Sequence, residues 1–201
     1  MTGGDGVEIL SRETLYQGHF RLFKLTLRHR LFAGGLGPPI SREVLDRAGA
    51  VAVLPYDPER DRVVLIEQFR IGPYLAGADP WLTEVVAGLI EPGETPPDVA
   101  TRETAEETGC RVGDLVAGPR YFSSPGAFSE MVHTFIGRTS SDGAGGVHGL
   151  ASEHEDIRVV VRDLAVALAD LERGRILFGP AVVALQWLAL NRDRVRRRWL
   201  G

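Results

Sequence analysis

The stretch Gly88–Cys110, GLIEPGETPPDVATRETAEETGC, constrains this chain more than any other. It reads as a tight glycine turn at Gly88 followed by a helix. Thr95 is a good N-cap, Pro96 suits the first helical position, and Asp98 three residues on makes a capping-box-like start. The helix is expected to run to Thr108 and to stop at Gly109. Within it Glu103, Glu106 and Glu107 stand at i, i+3 and i+4, so three carboxylates share roughly a 100° arc of one face. Like charges so crowded repel one another unless a cation sits between them. A hard divalent cation such as Mg²⁺, with Mn²⁺ as the alternative, takes oxygen ligands: one or two carboxylates, completed by water and substrate phosphate. Glu103 and Glu107, one turn apart, can present two carboxylates to one ion or to adjacent ions, with Glu106 at the edge of the same site. Arg102 can pair with Glu106 at i+4 or reach back to Glu94. For a bare EExG, a solvated acidic face with ordinary ion pairs is the blander account.

The longer pattern alters that balance. The stretch fits GX5EX7REUXEEXGU, where U is apolar, through Gly88, Glu94, Arg102, Glu103, Glu106, Glu107 and Gly109. Seven fixed positions at ordinary residue frequencies would coincide by chance at a given start about once in 10⁸ or more rarely. This is the signature of the Nudix hydrolases, and the chain resembles that family closely. Thr104 departs from it, being polar where the pattern wants an apolar residue, while Cys110 at the last such position is conservative. Pro125, sixteen residues after Gly109, together with SPGAFSE, RETLYQGHF and HGLASEHEDIRV, is similar to the ADP-ribose pyrophosphatase branch.

The remainder of the chain reads as strands with one central helix and two late ones, an α/β assembly with mixed sheets. Val7–Leu10 is a short strand candidate, His19–Phe32 alternates like a half-buried strand or hairpin, and Ile40–Leu45 resumes as strand. Ala50–Leu54 is a continuous apolar run of the kind buried on both faces. Residues 56–61 form a turn by composition, Arg62–Phe69 the returning strand, 71–80 a loop, and Trp81–Ala87 a strand leading into Gly88. Strands are expected to end at Tyr121-Phe122 and to cover Glu130–Gly137 and Ile157–Val161. Residues 139–149 are small, polar and glycine-rich and read as a mobile loop. If the segment after it is extended, Glu153 and Glu155 point the same way, so that one can activate a water while the other holds a metal. Asp163 caps a helix through Arg173, and Pro180 opens a last helix with Val183, Trp187 and Leu190 on its buried face.

The resemblance implies more than the residues alone do. It implies an α/β/α sandwich with mixed sheets at residues 48–201. It also implies an antiparallel N-terminal β unit at 1–47, exchanged between subunits of a homodimer. It implies hydrolysis of ADP-ribose to AMP and ribose 5-phosphate. By it, Glu103 and Glu107 ligate Mg²⁺ with the Ala87 carbonyl, Glu106 is auxiliary, Glu155 makes a metal contact and Glu153 is the base. Gly88, Glu94, Arg102 and Gly109 are structural. His19, Phe20, Arg42, Arg70, Leu89, Pro125, Gly126 and Glu130 would contact substrate, with Arg42 and Glu130 reaching from the other subunit. His19 departs from the aromatic ring that relatives carry there, although an imidazole still stacks. Two alternatives stay open: another nucleoside diphosphate sugar or dinucleotide as substrate, or a non-catalytic ADP-ribose sensor. A sensor would be expected to lack the metal glutamates or to carry a DNA-binding unit.

Composition limits the partners. Of 201 residues 44% are hydrophobic and 25% charged, and the net charge is −4, the balance of a globular chain with no electrostatic footprint for nucleic acid. The basic run Arg194–Arg198 reads as a solvated helix end. A single cysteine, Cys110, excludes an intramolecular disulfide and reads as core. His29, His133, His148 and His154 have no partner at metal spacing. MTGGDGVEIL lacks a basic segment followed by an apolar run, and AVVALQWLAL is too short to span a bilayer. A cytoplasmic location without membrane contact is expected.

Overall fold

Strand β4 (Ala50–Asp57) is apolar on both faces because it lies between two layers of helix in the computed structural model, which describes residues 6–201. Ala52, Leu54 and Tyr56 turn to one side and pack with Leu164, Ala167, Ala181, Ala184, Leu185 and Leu188. Val51 and Val53 turn to the other and pack with Val99 and Ala100. The period-two alternation of a strand therefore feeds two separate cores from one run of residues.

The chain divides into two compact units: the residues up to Gly49 with Phe122–Met131, and Ala50–Tyr121 with Val132–Gly201. Residues 1–5, which include the start of the expected N-terminal β unit, lie outside the described residues.

In the smaller unit, β1 (Val7–Gln17), β2 (Arg21–His29) and β3 (Ile40–Asp46) form an antiparallel sheet in that order. β1 is longer than expected because it pairs with β2 from Val7↔His29 to Gln17↔Arg21. His19 and Phe20 consequently sit in the turn between these strands. Phe23 is the one buried large apolar residue of this unit among the described residues, and Arg12 stacks over its ring at 3.6 Å. The segment 122–131 joins β3 by a Leu45–Phe128 bridge and by Ser129 Oγ donating to Asp46 at 2.8 Å.

The larger unit holds an eight-stranded mixed sheet. Its members are β4, β5 (Arg62–Phe69), β6 (Trp81–Glu84), β7 (Val86–Leu89), β8 (Leu115–Phe122), β9 (Met131–Arg138), β10 (Val147–His148) and β11 (Ile157–Asp163). The order is β10-β11-β5-β4-β9-β8, with β4 and β9 parallel. β4 and β5 are hydrogen-bonded only at their turn end, Tyr56↔Val63 and Asp57↔Arg62. Beyond it they splay: β6 pairs with β5 and β7 with β4. Helices α1 (Ile71–Leu75), α2 (Pro96–Thr108), α3 (Leu164–Glu172) and α4 (Gly179–Leu200) complete the unit. α2 covers one face of the sheet and α3 and α4 the other, an α/β/α sandwich. Among the described residues no helix is long and apolar enough to cross a membrane.

Several expectations change. Tyr56 and Asp57 belong to β4, so the turn is confined to residues 58–61, and the 71–80 loop contains α1. The strand expected at Trp81–Ala87 breaks at Val85, where it crosses from β5 to β4. On α4, Leu190 is 86% exposed, while Ala181, Ala184, Leu185 and Leu188 are buried. Of the expected face, Trp187 packs against this core and Val183 is half-buried, so only Leu190 is misplaced. The buried contact is centred on Ala181, Ala184, Leu185 and Leu188, where the alanines let the helix lie close to the sheet.

Candidate active site

Gly88 is not in a turn. It lies within β7, opposite Val51, and the left-handed turn is made by Gly93 at φ 95°. Residue 88 lacks a side chain for a different reason. A Cβ there would lie 2.5 Å from Glu103 Cγ and would overlap the carboxylate. The glycine is the notch into which α2 lowers its acidic face.

α2 itself forms as its sequence dictates. The Thr95 N–H donates to Asp98 Oδ2 at 3.1 Å, and Gly109 closes the helix at φ 66° with its N–H on the Ala105 carbonyl. Thr104, polar where the pattern wants an apolar residue, is buried, and its hydroxyl donates to the Ala100 carbonyl at 2.7 Å. The helix's own backbone satisfies the departure. Ala105 is exposed, so the buried face comprises Val99, Ala100, Thr104, Glu107 and Thr108.

Arg102 makes both of the pairings open to it and a third. Its Nε donates to Glu94 at 2.8 Å, and its Nη1 to Glu106 at 3.0 Å and to Glu103 at 2.8 Å. The Glu94 bond, above all, stabilises the guanidinium charge and in return holds the Glu94 carboxyl below its usual range. Glu94 also accepts from the Glu91 N–H at 3.1 Å, which ties the β7–α2 loop to the helix.

Residues 139–149, expected from composition to form a mobile loop, are anchored at both ends. The fully buried Asp57 carboxylate accepts from the Ser141 N–H at 2.8 Å and from its hydroxyl at 2.7 Å. At the other end the Gly149 N–H donates to the Glu106 carbonyl at 3.3 Å. His148 lies over Gly109, where a Cβ would come within 2.8 Å of its Cε1. Composition suggested mobility because the two anchors, Asp57 and the Glu106 carbonyl, are distant in sequence.

Glu153 and Glu155 do not alternate along an extended segment. A 3₁₀ turn, Ala151–Glu153, is followed by His154 in the left-handed region at φ 57°. The Leu150 N–H donates to Glu155 at 3.0 Å. Both glutamates nevertheless face one cavity of about 210 Å³, lined by Ala87, Gly88, Leu89, Glu91, Arg102, Glu103, Glu106, Leu150, Glu153 and Glu155.

Glu107 does not line that cavity: it is 3% exposed and accepts from the N–H of Ala87, a residue that does, at 3.2 Å. Burial pushes its pKa up to about 9, helped by the Glu103 charge and only partly opposed by that hydrogen bond. Burial likewise raises Glu103, to about 7, against the pull of Arg102. Carboxylates held this far from their usual range gain most from a cation. Every side-chain donor here is a carboxylate oxygen, as a hard divalent ion requires. Among the described residues no three His, Cys, Asp or Glu side chains converge tightly enough to hold an ion unaided. Mg²⁺ fits such a set, because it keeps water and phosphate oxygens in its shell.

One participant has no signal in the motif. Arg70 forms a two-point pair with Glu84, Nε to Oε1 at 2.9 Å and Nη2 to Oε2 at 2.8 Å. Glu84 is fully buried at the splay of the sheet. A lone glutamate in an apolar strand could have suggested a buried ion pair, but its partner is chosen only by the β5–β6 pairing.

Of the other expected substrate residues Leu89 lines the cavity, and the rest are held in the smaller unit. His19 and Phe20 stack edge to face at 4.8 Å, and Arg47 lies 5.3 Å over the Phe20 ring. Arg47 also pairs with Glu130 at 3.5 Å. Arg42 is exposed, its guanidinium donating to the Ser41 carbonyl at 2.8 Å. Pro125 and Gly126 occupy a turn closed by the Phe128 N–H on the Ser124 carbonyl at 2.8 Å.

Comparison with known proteins places these features in a wider set. The NUDIX domain model matches residues 46–179. An ADP-ribose pyrophosphatase of Escherichia coli (strain K12) is 45% identical over 197 residues, 98% of this chain and 94% of that protein. One from Haemophilus influenzae is 43% identical over 196 residues, 96% of this chain and 90% of its own length. A crystal structure of an ADP compounds hydrolase superposes with a TM-score of 0.73, covering 98% of this chain and 100% of that one at 22% identity. At that identity the likeness concerns the fold.

Proposed function

This chain belongs to the NUDIX family, and we propose that within it the protein hydrolyses the pyrophosphate of ADP-ribose to AMP and ribose 5-phosphate. The observation that carries this reading is the 45% identity to an ADP-ribose pyrophosphatase along 98% of the chain. The oxygen-lined cavity agrees with it chemically.

In the proposed mechanism Glu103, Glu107, Glu155 and the Ala87 carbonyl would hold Mg²⁺, with Glu106 auxiliary. Mn²⁺ suits the same donors. When bound, such ions neutralise the pyrophosphate and lower the pKa of a bound water. The residues supply the remainder. Glu153 accepts a proton from the attacking water as its oxygen bonds to phosphorus. The phosphorus–bridging-oxygen bond breaks, and that oxygen leaves with the other product. Gly88 admits the Glu103 carboxylate, and Arg102 with Glu94 keeps the loop and helix in register. Arg70, Leu89, His19, Phe20, Arg42, Pro125, Gly126 and Glu130 form the proposed substrate-binding set. We place them in a cytoplasmic homodimer with exchanged N-terminal units. The sparse apolar burial of the smaller unit supports that assembly.

The test is a substrate panel with Mg²⁺, ranked by kcat/KM with products identified. ADP-ribose is expected to lead, yielding AMP and ribose 5-phosphate. A clear preference for another nucleoside diphosphate sugar or a dinucleotide overturns the substrate assignment. Calorimetric binding without product release would indicate a sensor.

A further inference from the structure

Arg70 is the first residue beyond β5, and its N–H is tied to the Pro80 carbonyl at 2.8 Å. Its side chain is 42% exposed, whereas that of Glu84, its partner, is fully buried. Glu84 stands opposite Ile66 in the antiparallel β5–β6 pair, so the two side chains share a face of the sheet. Ile66 packs with Val99 and Ala100 of α2. Glu84 is therefore in the α2 layer, the layer that carries Glu107. Gln68 Nε2 donates to Glu84 Oε2 at 3.2 Å, so both carboxylate oxygens are engaged by Gln68 and Arg70.

This geometry commits one edge of the guanidinium, Nε and Nη2, and leaves Nη1 without a hydrogen bond among the described residues. Arg70 is near enough to the acidic cluster for the Glu107 and Glu155 charges to favour its cationic form, yet it forms an ion pair with neither. Glu84 stands three residues before Ala87, which lines the acidic cavity, so the half-exposed end of the pair lies in the same layer as that cavity. A fork held along one edge presents its remaining donor in a fixed direction, which is what planar recognition of a phosphate oxygen needs.

We propose that Glu84 is a positioning residue, which, together with Gln68, locks Arg70 so that its free Nη1 binds a pyrophosphate oxygen of the substrate. The inference rests on the reading of the site as a pyrophosphatase. Glu84 itself touches no substrate. It acts by removing the rotational freedom that Arg70 would otherwise lose on binding.

The test uses the full-length protein with Mg²⁺ and the non-hydrolysable α,β-methylene analogue of ADP-ribose, its Kd read by calorimetry. Steady-state kinetics on ADP-ribose and thermal midpoints accompany it. Arg70→Ala and Glu84→Gln are each expected to weaken the analogue about tenfold, as loss of a charge-assisted contact would. The double variant should bind no more weakly than Arg70→Ala alone, because Glu84 acts only through Arg70. Wild-type Kd in Glu84→Gln, or effects that add, would overturn the assignment. Should Glu84→Gln not fold, Arg70→Lys decides. A lysine keeps the charge but not the two-point pairing, and is expected to bind little better than Arg70→Ala. Wild-type affinity in Arg70→Lys would mean that no locked fork is needed. If the wild-type protein leaves ADP-ribose intact, the functional reading fails instead, which the kinetics report separately.

Discussion

The carboxylate of Glu103 occupies the space that a side chain at Gly88 would require. Gly88 lies in β7 and Glu103 on α2, fifteen residues apart, and the absent Cβ is what lets the acidic face of the helix approach the sheet. Gly88 has no positive φ, so alanine is compatible with its backbone. The collision is with a side chain that can swing away.

Gly88→Ala should therefore separate stability from activity. Unfolding free energy is expected to change by about 1 kcal/mol or less. The kcat/KM for ADP-ribose should fall at least about 100-fold, because Glu103 is displaced from its place. Denaturant unfolding and steady-state kinetics on one preparation check both, and wild-type kinetics would refute the notch.

The two loop glutamates should differ in kind. Glu153→Gln is expected to lower kcat by about 10²–10⁴-fold while leaving the Mg²⁺ concentration for half-maximal rate unchanged. Glu155→Gln should instead raise that concentration. Magnesium titrations of the rate distinguish the two, and identical responses would contradict the division of labour.

Buried carboxylates also set a pH dependence for the metal-free protein. Glu103 and Glu107 are raised to about 7 and about 9 from an ordinary 4.5. Across that interval the folded state binds more protons than the unfolded chain, so stability falls as pH rises. Denaturant unfolding in EDTA from about pH 5 to about pH 9 should show the decline, and Glu107→Gln should flatten it. Mg²⁺ should restore stability most at the alkaline end. A profile that rises with pH and is steepened by Glu107→Gln would contradict the assignment.

Asp57 should behave in the opposite sense. Burial alone would raise its pKa, but hydrogen bonds from Ser141 and Arg60 outweigh it and hold the group at about 2. Its stabilisation is present above its ordinary 3.8 and is lost as pH falls towards about 2. Asp57→Ala removes the anchor of the 139–149 loop and is expected to cost about 3 kcal/mol. Thermal and denaturant unfolding measure the loss, and hydrogen exchange should show faster exchange of the Ser141 amide.

How far the sequence reached follows from the range of the forces involved. The start, stop and acidic face of α2 were legible because capping, the left-handed glycine and i,i+4 spacing all act within one or two helical turns. The motif also named Glu103 and Glu107, since its spacing is that of a single helix. Residues whose roles depend on pairing were not legible in the same way. Gly88 read as a turn because local sequence cannot reveal a helix descending from above the strand. The 139–149 loop read as mobile because its anchors, Asp57 and the Glu106 carbonyl, are remote in the chain. Glu153 and Glu155 meet the cavity through a left-handed turn at His154 that alternation could not suggest. The sequence by itself determined the helix, its charges and the chemistry they suit. Only the tertiary structure decided how close that helix lies to the sheet, which acids share its cavity and which buried carboxylate holds Arg70. Those are outcomes of strand register and packing, and both are set by contacts across the whole chain.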